Sequence, residues 1–522
     1  VTDRSEPASG AGKGLDESEA KGLVRNMSWS TLGTAARILI AGGALALVSR
    51  QVTTAEMGLY GIGWAGASLG YTISLNGAAQ SIIAVPNMER GHVGAAQFLS
   101  LLIGLITAAI LIAVSPFAAQ FYHSADVGHA VWVGALFVPL MCLGAVDVAQ
   151  AQKALQFSKL AFVQTAAVVL AAVTSLALAY AGQGLIALFA LQGLIGFYVF
   201  VVSRFVGLSM GLHRFGWRHL TDILSVGLHL SLGSLTGALW LNMPQLLIGT
   251  VATVDVVGLY VFCSRIVQLV FTQLSGMINN VIYPTFARLR NDPAQVGASF
   301  LQTVRFTYFC LNLPLLMLAA APTAFLVVYG GAKWASGSTV LLYLALAQMV
   351  VALGANVFPT FSAMGRPSVA WRWNLFITLV QGLGIIVAAP YGIVAIVQAL
   401  ALTAWVMPLA VWWLSKVTLF RMRDYARNMA PIVLALVPAI LAGHLVEAAL
   451  RLPALIVLAV AAATAMVIYA SFTLLMDASL RRNLLDIVRK RRLRTGAVNP
   501  APEEAGNRSG DPLSREGGEV AQ

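Results

Sequence analysis

Five ionisable side chains stand inside long runs of otherwise apolar sequence: Arg37, Asp147, Arg265, Arg305 and Arg372. A charge at the centre of a membrane helix costs about 2.5–3.5 kcal/mol even on the lenient insertion scale, so such residues face a partner or a wet cavity. Depth separates them. Arg305 and Arg372 lie within about two turns of the end of their runs, close enough for a long stem to carry the charge to the interface. Arg37 lies too deep for that and Arg265 is intermediate, so both are expected to face a solvated cavity. Gln268 follows Arg265 by three residues and shares its helical face, which makes it a further lining candidate. Asn242 and Gln245 sit in the preceding run, where amides commonly join helices. For Asp147 two readings stay open: a structural pair with an arginine, or a titrating group in a cation-coupled cycle. Cations without an acidic counterpart for each attract an anion, and the planar guanidinium fork suits phosphate oxygens. Arg37, Arg265, Gln268, Arg305 and Asn242 are thus candidates for binding a phosphorylated or diphosphate-bearing molecule, and Asp147 is the candidate for a coupling ion.

Motifs for covalent chemistry are missing. No GxxxxGK[ST] occurs, and Gly10–Gly14 (GAGKG) lacks its spacing. Neither HExxH nor a Cys/His metal spacing is present, and Cys142, Cys263 and Cys310 fall in apolar runs without a CxxC pair. Gly66–Gly70 (GASLG) matches GxSxG formally, but inside an apolar run its small residues let helices approach. No catalytic residue, metal or cofactor is expected.

The elements that hold these side chains are helices in lipid. The chain is 58% hydrophobic and 10% charged, with mean hydropathy +0.80, where a soluble protein carries about 25% charged residues. Runs of about 20 apolar residues recur from Met27 to Met476, each long enough to cross a hydrocarbon core of roughly 30 Å, and only helices satisfy their backbone in such runs. Fourteen spans are expected, at about 27–49, 58–82, 97–116, 130–151, 160–181, 184–206, 223–249, 258–282, 300–322, 336–358, 370–389, 392–414, 430–449 and 453–476. Alternate connections carry most of the Lys and Arg, from Lys13, Lys21 and Arg25 through Arg90, Lys153, Arg214 and Arg288 to Arg421. That bias places both termini in the cytoplasm. The net charge of +12 is then mostly topology, and nucleic acid is not expected as a partner.

The chain also repeats. Leu47–Tyr60 (LVSRQVTTAEMGLY) and Leu246–Tyr260 (LLIGTVATVDVVGLY) each end one apolar run, turn a polar corner and open the next run on GLY. The fold expected is an all-α integral membrane protein of about 14 transmembrane helices, built as two six-helix lobes related by an internal repeat plus two extra C-terminal helices. Residues 1–26 form a polar N-terminus, 27–210 and 215–425 the lobes, 430–476 the added helices, and 477–522 a basic amphipathic stretch and disordered tail. In the first lobe the deep arginine precedes the corner, as Arg37; in the second it follows, as Arg265.

Several stretches resemble the bacterial polysaccharide transporter family of the multidrug/oligosaccharidyl-lipid/polysaccharide superfamily: TLGTAARILI around Arg37, LVSRQVTTAEMGLYGI, NGAAQSIIAV, LLIGTVATVDVVGLYVFCSRI, NNVIYPTFARLRNDP, YGGAKWASGSTVLLYLAL and FSAMGRPS. They cover roughly Gly22 to Leu414. The resemblance implies a flippase of the bacterial inner membrane that moves an undecaprenyl-diphosphate-linked oligosaccharide, by alternating access, for O-antigen, capsule or exopolysaccharide. It implies as partners the membrane lipids and a polymerase and chain-length or export proteins of the same pathway. Arg37 and Arg265 match arginines common at those points in the family. Pro244 departs from it, standing where an acidic residue often precedes the IG of the seventh span. The alternatives are a peptidoglycan-precursor flippase, a cation-coupled multidrug exporter and, in another class, a membrane-embedded glycan polymerase or ligase.

Overall fold

A computed structural model describes residues 17–85, 88–208, 213–366 and 368–476. The first 16 residues and the basic amphipathic stretch expected after Met476 lie outside the described residues. Among the described residues every regular element is helical. In chain order these are α1 (Glu17–Gln51), α2 (Thr54–Ser74), α3 (Gln80–Ala84), α4 (Arg90–Phe121), α5 (Ala125–Leu143), α6 (Ala145–Lys153), α7 (Phe157–Tyr180) and α8 (Gly184–Phe205). The second half follows with α9 (Trp217–Val251), α10 (Val254–Leu289), α11 (Pro293–Ala320), α12 (Pro322–Gly330), α13 (Ser338–Val351), α14 (Val357–Ala363), α15 (Ser368–Ala388), α16 (Ile393–Ala404) and α17 (Met407–Thr418). Two more helices end the described chain, α18 (Met422–Ala449) and α19 (Ala454–Met476). A π-helical turn, Leu75–Ala79, separates α2 from α3.

Twelve helical stretches of the described residues are long and apolar enough to cross a membrane, against the fourteen expected. The two expected spans not among them are α2, rich in glycine, and α9, part of which lies outside the described side chains. They pack on each other, and α2 also packs on α10. A helix covered by other helices faces little lipid, so its composition drifts from the apolar limit. Lipid-type surface appears elsewhere: Leu434, Val437, Leu441 and Leu445 form an exposed stripe on α18, as do Leu375, Leu379, Leu383 and Ile386 on α15. α1 begins at Glu17, before the apolar run starts.

The packing order repeats. In the first half α1 lies on α7, α7 on α8, α8 on α5, and α5 on α2 and α4. In the second half α9 lies on α15, α15 on α16, α16 on α13, and α13 on α10 and α11. α18 joins by packing on α11. The halves meet through α2, which contacts both α9 and α10, and the described residues up to Phe472 form one compact unit.

Candidate functional site

The two GLY corners touch. A Cβ on Gly58 would lie 2.0 Å from the Val254 carbonyl oxygen, and one on Gly258 would lie 1.9 Å from the Thr54 carbonyl oxygen. Only glycine permits so close a backbone approach, so the same tripeptide in each copy is what brings α2 against α10. Thr53 and Glu56 close a capping box at the start of α2, with Glu56 N–H donating to Thr53 Oγ1 at 3.1 Å and Thr53 N–H donating to Glu56 at 2.7 Å. Thr54 Oγ1 donates to the Asp255 carboxylate across the two corners.

The deep arginines lie further along, Arg265 about three turns into α10 and Arg37 about four turns before the end of α1. The guanidinium carbon of Arg265 (α10) stands 5.5 Å from the Tyr60 ring centroid and 5.3 Å from that of Trp64, both on α2, within cation–π range. Trp64 also lines a cavity of about 400 Å³ inside the first half, and Arg37 (α1) lines the same cavity. Arg37 donates from Nη2 to Thr34 Oγ1 at 2.8 Å. Its Nη1 is buried and has no hydrogen-bond partner among the described residues. A buried charged donor left unpaired costs about 1–3 kcal/mol or more, so this nitrogen is poised for an acceptor. Trp64 thus stands between the two halves of the repeat, with Arg265 on its ring and the Arg37 cavity beside it.

Gln268 lines a smaller cavity of about 90 Å³ in the second half, together with Trp240, Pro244, Ser264, Gln348 and Gln381. Arg265, expected to face a cavity, lines neither of these two, and nor do Arg305 and Asn242. Asn242 is buried and tied down, donating to the Ala238 carbonyl at 2.8 Å and accepting from Gln245 at 2.9 Å. Arg305 is half-buried on α11.

Asp147 is fully buried and accepts from Arg204 Nη1 at 3.1 Å and from Gln97 at 3.4 Å. Arg204, near the end of α8, also donates to the Phe200 carbonyl at 3.0 Å and lies 3.4 Å over the Phe200 ring. Sequence reasoning left the arginine partner unnamed, because the two residues are 57 positions apart and only the α6–α8 packing joins them. It also passed over Gln80, Gln152, Gln164 and Gln192, which come from four helices and line the Arg37 cavity. Their signal was an amide in or at the end of an apolar run.

Both ends of the α2 interface are closed. At the corner end the loop between α12 and α13 docks on α1: Lys333 Nζ donates to the carbonyls of Arg50 at 3.0 Å and Val52 at 2.5 Å. There the buried Trp334 indole donates to the Ser49 carbonyl at 3.1 Å, and Arg50 donates to the Val328 carbonyl at 2.6 Å. At the opposite end a Cβ on Gly227 (α9) would meet the Gly77 carbonyl oxygen of the π turn at 1.9 Å. Beside it, His92 (α4) faces Asp222 (α9) at 3.3 Å and His219 (α9) faces Glu89 at 2.9 Å.

Each of those rings accepts a backbone N–H at Nδ1, His92 from Glu89 and His219 from Gly216, both at 3.1 Å. The proton is therefore on Nε2, which donates to the carboxylate. The hydrogen bond from His219 holds the Glu89 carboxyl below the usual carboxylate range. Glu89, His92 and His219 bring ligand atoms within 4.8 Å of one another. A metal at Nε2 needs the ring proton on Nδ1, which here faces an N–H donor, so the cluster suits a hydrogen-bonded latch better than a ligand set.

Comparison with known proteins agrees with this architecture. Residues 47–339 match the model of a family described as polysaccharide biosynthesis protein. The teichuronic acid biosynthesis protein TuaB of Bacillus subtilis is 22% identical over 74% of this chain and 79% of its own. The succinoglycan biosynthesis transport protein ExoT of Rhizobium meliloti is 23% identical over 92% of this chain and 99% of its own. Among solved structures, the lipid II flippase MurJ in an inward closed conformation superposes with a TM-score of 0.70 at 12% identity, covering 87% of this chain and 99% of its own. At that identity the likeness is one of fold.

Proposed function

Because this chain belongs to the polysaccharide biosynthesis protein family, we propose that it is a flippase. It carries an undecaprenyl-diphosphate-linked oligosaccharide from the cytoplasmic to the outer leaflet of the bacterial inner membrane. Both termini lie in the cytoplasm, so the corner end faces outward and the histidine end inward. The halves, 27–210 and 215–425, rock against each other about the α2 interface. The substrate comes from one pathway of surface polysaccharide, whose polymerase and export proteins take up the product.

One observation carries the reading: Arg37 lines a cavity with its Nη1 buried and without a partner among the described residues, and Trp64 in the same lining carries Arg265 of the other half on its ring. A diphosphate supplies the acceptors that this nitrogen lacks, and a charge-assisted hydrogen bond is the form of contact arginine makes best. Asp147, paired with Arg204, serves in this reading as a structural anchor for α6, not as the coupling-ion site. Arg305 and Asn242 play no part in holding the substrate.

The test is export in a strain deleted for the gene and complemented with variants. Arg37→Ala and Arg265→Ala reach the membrane at wild-type level, yet the lipid-linked oligosaccharide accumulates on the cytoplasmic face and surface polymer is lost. Normal polymer in both variants would overturn the anion-cavity mechanism. Rescue of a peptidoglycan-precursor flippase mutant by the wild-type chain would move the substrate to the other polyprenyl diphosphate class.

A further inference from the structure

We propose that the cavity in the first half reads the glycan itself, through a ring of glutamines beside the arginine that holds the diphosphate. This deepens the flippase reading and rests on it. The cavity is about 400 Å³, within the range of pockets that take small organic ligands. Gln80, Gln152, Gln164 and Gln192 reach it from α3, α6, α7 and α8, and no carboxylate lines it. None of the four side-chain amides hydrogen-bonds to another described residue. Amides inside a membrane bundle are normally spent on joining helices; here Gln80 is exposed and Gln152, Gln164 and Gln192 are half-buried, so these amides stay open to an incoming partner. Four of them around one space mark a wall built to meet a ligand with many donors and acceptors.

The wall chemistry selects among ligands. A hard cation needs carboxylate or carbonyl cages, and no acid is present. An apolar drug would leave all four amides unmatched. A second phosphate would call for more than one lining cation. A primary amide offers two donors and a carbonyl acceptor, which pairs with neighbouring hydroxyls of a neutral sugar. Trp64 and Tyr71 add aromatic faces to the same wall, suited to the C–H face of a pyranose ring. The ligand class is thus a neutral or mildly modified hexose next to the diphosphate, with Arg37 on the anion and the glutamines on the hydroxyls.

The experiment is binding to the purified full-length chain in nanodiscs, with two probes: undecaprenyl diphosphate, and the undecaprenyl-diphosphate oligosaccharide extracted from the transporter-deleted strain. Wild type binds the glycosylated carrier at least about 10-fold more tightly than the bare one, as expected when several hydroxyls find partners. The triple variant Gln152→Met, Gln164→Met, Gln192→Met keeps side-chain volume and suits an apolar bundle. It retains wild-type affinity for the bare carrier and loses the preference. Single Gln164→Met and Gln192→Met variants each lose part of it, which tests the idea even if the triple variant does not fold. Arg37→Ala weakens both probes alike. A triple variant that keeps the full preference, or a wild type that shows none, overturns the glycan pocket while leaving the flippase reading intact. A wild type that binds neither carrier overturns both.

Discussion

At Arg37 and Arg265 the sequence and the structure describe different parts of one fact. Depth in an apolar run marks a charge that must be satisfied inside the bundle, but not what satisfies it. The structure puts Arg265 on the Tyr60 and Trp64 rings and leaves one Arg37 nitrogen buried without a described partner. Losing a charge-assisted hydrogen bond costs roughly 1.5–3 kcal/mol. Arg37→Ala should therefore weaken carrier binding about 10- to 100-fold, and Arg37→Lys should recover only part, because a point charge lacks the fork. Titration of the purified variants against undecaprenyl diphosphate checks this. Asp147 behaves differently. Removing one partner of a dry ion pair costs about 3–5 kcal/mol; with the Arg204 side chain 30% exposed, about 1–3 kcal/mol is expected for Asp147→Asn. The double variant Asp147→Asn, Arg204→Gln should melt closer to wild type than either single variant. If Asp147→Asn is as stable as wild type yet blocks export, the carboxylate is a coupling group after all.

At the scale of the elements, two glycines decide the α2–α10 contact. Gly58 and Gly258 stand where any Cβ would strike a carbonyl oxygen, so Gly58→Leu or Gly258→Leu should force the corners apart. Overpacking of this kind costs about 1–3 kcal/mol, and here the cost falls on the closed corner end alone. Cysteines placed in the two corners should become open to a membrane-impermeant thiol reagent from outside, and export should fall; corners that stay protected would show that the glycines are not the contact. The repeat that announces this contact is visible in the sequence because both copies keep GLY. The span count is less visible. α2 is buried against other helices, and burial in protein relaxes the apolar requirement by which spans are recognised. The π turn at Leu75–Ala79 left no mark in the hydropathy either, although Leu75 and Ala79 line the arginine cavity and Gly77 meets α9.

Across the whole molecule, the corner end is closed by the α12–α13 loop on α1, and the other end by the glycine contact and two histidine–carboxylate pairs. The histidine end should respond to pH. The His219 hydrogen bond holds Glu89 below the usual carboxylate range; a depressed carboxyl contributes to the closed contact at pH above its unfolded value near 4.3 and loses that contribution as pH falls through the folded value. His92 and Arg218 face Glu89 as well and act in the same direction. Cross-linking of a cysteine pair across α4 and α9 should drop as pH is lowered through the acid range, and Glu89→Gln should remove much of that dependence. An unchanged profile in Glu89→Gln would assign the response to other groups.

What the amino-acid order determined by itself is what depends on local composition and spacing: a helical membrane protein, because lipid demands apolar runs; a duplicated unit, because the GLY corners recur; and deep arginines that must find partners inside the bundle, because a deep charge needs company. What only the tertiary structure decided is which residues share a space. Arg204 reaches Asp147 across 57 positions, and four glutamines from separate helices surround one cavity. Such pairings depend on how helices rotate and lean against one another, and no single helix encodes its neighbour's orientation.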